Sequence, residues 1–134
     1  MSAIPYVDPS VVPADVPTHT VEAVSRHLGV STSKVLQMVR DHELIAVRRD
    51  GSLCVPKVFF AEIDGRFAVA KHLTGLIRLL HDGGYSDSDV MRWLFTVQSD
   101  LVGWGGPAEG ATPADTLHTD GAREVMRRAQ SLAF

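Results

Sequence analysis

Residues 20–60 read TVEAVSRHLGVSTSKVLQMVRDHELIAVRRDGSLCVPKVFF, and no other stretch narrows the available folds as far. Thr20 is a favourable N-cap, and Glu22 stands in the first turn, where the helix dipole favours an acid. Val21, Val24 and Leu28 follow at i, i+3 and i+7, one apolar stripe of a helix. Gly29 supplies a left-handed stop, and Ser31 caps a second helix immediately after it. Ala46-Val47-Arg48 and Leu53-Cys54-Val55 are short β-prone runs around Arg49-Asp50-Gly51-Ser52. Asp-Gly in that position is a strong tight-hairpin signal. Pro56 fits the first turn of a further helix.

The second helix has two unlike faces. Val35, Met38 and Val39 share one, suited to packing on the first helix. Ser33, Gln37 and Arg40 fall together on the other, with Leu36 at its edge. Gln can contact adenine with two hydrogen bonds, and Arg can do the same to guanine. Helix, glycine turn, helix and hairpin, in that order, are the layout of a winged helix-turn-helix, a module that lays its second helix in the major groove. The fold class expected is mainly α (α+β): this module with its small β-hairpin wing, plus a helical C-terminal domain. Base reading falls to Ser33, Gln37 and Arg40, flanked by Thr32 and Lys34 on a recognition helix over about residues 32–41. Arg48 and Arg49 at the wing tip, with Lys57, suit phosphate or minor-groove contact. Asp41 lies at the flank of the polar face.

The charge distribution agrees in sign. Residues 20–60 hold six basic and four acidic side chains, net +2, in a chain of net −3. An excess this small predicts modest affinity with few phosphate contacts. The 134 residues suffice for one ordinary domain or two very small ones sharing a core. Cys54 is the single cysteine, so a disulfide within the chain and a multi-cysteine metal site are both excluded, as suits a reducing cytosol. No apolar run reaches the roughly 18 residues of a membrane span, and the first residues lack the blocks of a signal peptide. The expected location is cytoplasmic, with the nucleoid.

Residues 1–17 carry prolines at 5, 9, 13 and 17. That spacing forbids a helix and offers no strand alternation, which predicts a disordered, mobile tail. Ser10 within it, and Thr18 and Thr20 just after it, are candidate phosphate acceptors; added negative charge beside a DNA-binding surface would weaken phosphate contacts. The winged module is then expected over residues 18–62 and the helical domain over 63–134, after an irregular segment around 63–70. Leu73, Leu76, Ile77 and Leu80 form a helical stripe broken by Gly83-Gly84. Ser86 with Asp89 resembles a capping box opening another helix, with Val90, Trp93 and Leu94 inward. A Gly- and Pro-containing loop over 96–113 includes Trp104, suited to plugging a core edge or anchoring a partner. Residues 121–132 make a last amphipathic helix.

Catalytic signatures are missing. The chain has no phosphate-binding Gly-Lys-Ser/Thr loop, GxGxxG turn, GxSxG elbow or HExxH helix. Its histidines at 19, 27, 42, 72, 81 and 118 show no metal-ligand spacing. His81-Asp82 is accounted for by a histidine favoured at a helix C-terminus. Neither an enzyme, nor a cofactor, nor a metal site is expected.

Several segments also carry a resemblance. Thr20 to Val24, Leu28 to Ser31, Val35 and Glu43-Leu44 look like the excisionase and MerR-type winged helix-turn-helix class. Over residues 18–134 the chain resembles a small family of actinobacterial DNA-binding proteins. The match is carried by Val47-Arg48-Arg49, Val55 to Phe60, Leu79 to Tyr85, Met91 to Thr96 and Arg123 to Ala129. This resemblance implies DNA binding without a ligand domain, and a serine/threonine kinase acting on the N-terminal tail; together with the winged helix-turn-helix layout, the expected function is binding of double-stranded DNA and regulation of transcription. The C-terminal half is also similar to the toxin-binding domain of some antitoxins, through Trp93-Leu94, Gly103 to Gly106, Pro113 to Leu117 and Gly121 to Arg123. It lacks the Pro-Asn step that often follows the Trp-Leu there. An antitoxin-like or adaptor role, with a protein bound to the C-terminal domain, is therefore the alternative. An excisionase-like architectural DNA binder is a third reading. Asp41 occupies a position where many excisionase-type helices carry a base.

Overall fold

The computed structural model describes residues 4–101 and 110–134. The first regular element is a 3-10 turn at Pro9–Val11, capped by the side chain of Asp8. A short strand β1 (Thr18–Thr20) leads directly into helix α1 (Val21–Leu28). The Thr20 hydroxyl accepts from the Ala23 N–H, and Gly29 closes the helix at φ 70°. Helix α2 (Thr32–Arg40) starts under the Ser31 cap. Val35, Met38 and Val39 of α2 are buried, while residues 32–34 and Gln37 are exposed. The two helices and both caps follow the sequence expectation.

Strands β2 (Val47–Arg49) and β3 (Ser52–Pro56) form the wing, with Arg49 paired to Ser52. Asp50 and Gly51 both have positive φ, 50° and 78°, as a two-residue I′ turn demands. The sheet has three strands rather than two, in the order β1-β3-β2. Pro56 is followed by one 3-10 turn, Lys57–Phe59, in place of a longer helix.

Two further expectations are corrected. The segment around 63–70 is a second hairpin, β4 (Phe60–Ile63) and β5 (Arg66–Val69). Its turn is another Asp-Gly pair, Asp64 and Gly65, both at positive φ. Phe60 and Phe67 stack across it at 4.8 Å between ring centres. The second correction concerns residues 4–17, which are packed on the domain instead of forming a mobile tail. Val7, Val11 and Val12 are buried in the main core. The Val7 N–H donates to the Ala46 carbonyl, and the Arg48 N–H donates to that of Val7, extending the wing sheet by one bridge. At the other end, the Lys57 N–H donates to the Pro17 carbonyl. Prolines exclude helix and ladder but not burial: the valines between them supply the apolar surface that fixes the segment.

Helices α3 (Leu73–Asp82), α4 (Asp87–Leu94), α5 (Pro113–Thr116) and α6 (Ala122–Ala133) complete the described residues. The Ser86–Asp89 capping box is formed in full. Trp104 lies outside the described residues. A single apolar cluster runs from Val24, Val39 and Val55 through Phe59 to Leu76, Leu80, Met91 and Val125. The winged module and the helical half therefore share one core, which fixes the orientation of α2 from behind.

Candidate nucleic-acid interface

The exposed face of α2 is built by its caps and its buried face together. With Val35, Met38 and Val39 locked inward, Thr32, Ser33, Lys34 and Gln37 must face solvent. The wing tip stands beside the start of this face. Thr32 and Leu36 share a shallow crevice of about 340 Å³ with Val21 and Glu22 of α1 and with Gly51, Ser52 and Leu53 of the wing. A backbone or sugar edge lying along α2 would thus meet the hairpin turn.

The C-terminal end of the face is internally bonded. The Arg40 guanidinium donates to the Gln37 side-chain oxygen at 3.3 Å, and the Gln37 amide donates to Asp41 at 3.0 Å. Arg40 is half-buried, and its Nε is enclosed without a hydrogen-bond partner. Gln37 and Arg40 are thus brought together as expected, but as a linked set with Asp41 rather than as two independent donors. Breaking such exposed hydrogen bonds to meet a base edge costs on the order of 1 kcal/mol each.

The three expected phosphate contacts separate. Arg48 is exposed, its guanidinium 5.6 Å from the centre of the Tyr6 ring, in cation–π contact. Arg49, one residue on, points to the other side of the strand. It donates to the carbonyls of Val16 and Pro13, so its planar fork holds the N-terminal segment against the wing. Lys57 is exposed at the far end of β3 from the tip, about 16 Å away along the strand. Beside it, His19 is held below its ordinary pKa, first by burial and then by the positive charges of Lys57 and His27. Of the expected phosphate acceptors, Ser10 is exposed with its hydroxyl donating to Asp8 at 2.6 Å. Thr18 is half-buried in β1, and the Thr20 oxygen is occupied in capping α1. No helix among the described residues is long and apolar enough to cross a membrane.

Residues 3–60 match the family model described as DNA-binding protein Rv2175c, wHTH domain, and residues 70–133 match the Rv2175c C-terminal domain of unknown function. The chain is 44% identical to the DNA-binding protein Rv2175c of Mycobacterium tuberculosis over 138 residues, spanning all of this chain and 92% of that protein. The chain belongs to the Rv2175c family. Its structure superposes on the NMR structure of Rv2175c with a TM-score of 0.82, covering 99% of this chain and 91% of the other.

The wHTH match of the Rv2175c family begins at residue 3, in line with residues 4–17 being part of the folded module. Two residues were not legible as members of this face. Tyr6 reaches the wing only because Val7 pairs with Val47. Arg78, on the exposed side of α3, donates to the Asp41 carbonyl at 3.4 Å and so adds a cation at the end of α2. Neither has a local sequence signal, since both depend on contacts across more than thirty positions.

Proposed function

We propose that this chain binds double-stranded DNA through the exposed face of α2 and the wing, and that it acts as a transcriptional regulator with the nucleoid in the cytoplasm. The observation that carries the reading is the polar face of Thr32, Ser33, Lys34 and Gln37, held outward by a buried opposite face and flanked by the wing tip. The name of the 44% identical relative, a DNA-binding protein, supports it. In this reading Ser33, Gln37 and Arg40 read base edges in the major groove. Thr32, Lys34 and Arg48 hold phosphates, and Lys57 forms an outlying contact. Arg49 acts indirectly, by fixing the segment that backs the wing. Phosphate on Ser10, added by a kinase, would place negative charge on that same segment. A Ser10→Asp variant that binds DNA as the parent does would remove this last element.

The deciding experiment is fluorescence anisotropy of the full chain on its own upstream region and on random duplex, across a salt series. A regulator binds its own region more tightly, and affinity falls steeply as salt rises. Equal weak binding to both duplexes would replace regulation by an architectural role, to be tested by bending assays. No binding at low salt would reject the reading and move attention to a protein partner of the C-terminal domain.

A further inference from the structure

We propose that His42, His81 and Asp87 form a binding site for a divalent first-row transition ion of the zinc class, at the junction of the winged module and the helical half. One donor atom from each residue lies within 4.8 Å of the other two. The His81 Nε2 is hydrogen-bonded to an Asp87 carboxylate oxygen, and His42 Nδ1 stands 4.0 Å from that same oxygen. The two imidazole rings lie close, 4.1 Å between centres and tilted by 35°. Three elements deliver these groups: the loop after α2, the last turn of α3 and the first turn of α4.

A tetrahedral zinc ion with bonds near 2.1 Å needs donors about 3.4 Å apart. The present separations bracket that value, so the site closes by side-chain rotation. His42 is the most exposed member, at 43%, against 21% for His81 and 19% for Asp87. It therefore has the freedom to move, and the open side leaves the remaining coordination positions to water. Two imidazoles and one carboxylate are the donor set of zinc, cobalt and nickel sites, whereas magnesium and calcium select oxygen cages.

A simple His81–Asp87 hydrogen bond does not account for His42. That residue is held at φ 59°, a left-handed conformation that non-glycine residues adopt at a cost. The tight turn that imposes it is fixed by the Glu43 N–H on the Met38 carbonyl and the His42 N–H on that of Val39. The turn brings a second imidazole beside the pair, within reach of a shared ion. A bound ion would pin the loop that follows the recognition helix to α3 and α4. The sequence holds no hint of this, because the ligands are 39 and six positions apart.

Isothermal titration of the untagged full chain with zinc chloride, and separately with magnesium chloride, tests the site. We expect one equivalent of zinc and no magnesium uptake. His42→Ala and Asp87→Asn should each weaken zinc binding at least tenfold, and the ring resonances of His42 and His81 should move with one equivalent of zinc while those of His118 stay. His42→Ala changes a half-exposed position and keeps the test valid if Asp87→Asn unfolds. The absence of stoichiometric zinc binding, unchanged binding in His42→Ala, or resonance shifts confined to other histidines would each overturn the proposal. None of these outcomes bears on DNA binding.

Discussion

Neighbouring arginines on the wing differ only in the side of the strand they occupy, and that difference assigns them different work. Arg48 lies outward over Tyr6, so Arg48→Ala should weaken binding to every duplex alike, without changing base preference. Arg40 sits at the end of the polar face of α2, linked to Gln37. Arg40→Ala should cost about 1–3 kcal/mol on the preferred site and relax discrimination there. Anisotropy on specific and random duplexes reads both, and equal losses for the two variants on the two duplexes would contradict the division. Arg49 is bonded to the N-terminal segment, so its expected effect is on stability. Removing its two charge-assisted bonds to the Pro13 and Val16 carbonyls should destabilise the chain by about 1–3 kcal/mol in a denaturant titration. Limited proteolysis of Arg49→Ala should show early cleavage within residues 4–17. If Arg49→Ala instead lowers DNA affinity with stability unchanged, the guanidinium leaves the carbonyls to meet phosphate.

At the scale of elements, what was legible in the sequence is what a few neighbouring residues decide. Thr20, Ser31 and Ser86 cap the helices they were expected to cap, because a hydroxyl needs only the N–H three residues on. Asp50-Gly51 makes the wing turn for the same local reason. Asp64-Gly65 is the same signal with the same positive φ pair, and its flanking Phe60, Phe67 and Val69 were sufficient to announce β4 and β5. The strand β1 was not legible: three residues become a strand only because β3 is beside them. The same holds for Val7, Val11 and Val12. Packing between elements also sets a limit at Gly83, read from sequence as a simple break. A Cβ there would stand 2.8 Å from the Ala133 Cα in α6. Gly83→Ala should therefore destabilise by about 1–3 kcal/mol, and deleting residues 133–134 from that variant should recover part of the loss in a thermal melt. On α6 itself, hydrogen bonds from Arg127 and then Arg128 hold Glu124 down to a pKa of about 2, against an ordinary 4.5. A carboxylate whose folded pKa is depressed stabilises the fold above its unfolded value and loses that contribution as pH falls. Stability should thus decline from about pH 4.5 towards pH 2, and Glu124→Gln should flatten that part of the profile measured by denaturant titration.

At the scale of the whole molecule, the winged module and the helical half share one core, one of the two arrangements that the chain length allows. Phe59, just after the wing, stacks on Phe95, which ends α4, at 6.2 Å between ring centres. The Thr74 hydroxyl of α3 donates to the Glu43 carbonyl in the loop after α2, and His118 is bonded to the Val58 carbonyl. These contacts cross from residues 18–62 to the remainder and sit on one continuous apolar cluster. Ending the chain at residue 70 would strip Leu73, Leu76, Ile77, Leu80, Met91 and Leu94, all buried, from that cluster. Each fully buried side chain of this size contributes roughly 1.5–3 kcal/mol, so the loss is comparable with the whole 5–15 kcal/mol that holds an ordinary domain folded. The fragment 1–70 should show no cooperative thermal transition by circular dichroism, while the full chain melts in one step. A partner or a duplex that is lost on truncation at residue 70 would then report unfolding, not the removal of a binding domain. Point substitutions on exposed positions, such as Lys34→Ala on α2 or Arg123→Ala on α6, separate the two surfaces without that confusion. A fragment 1–70 that melts cooperatively near the temperature of the full chain would show that the shared core is a contact between two independent folding units.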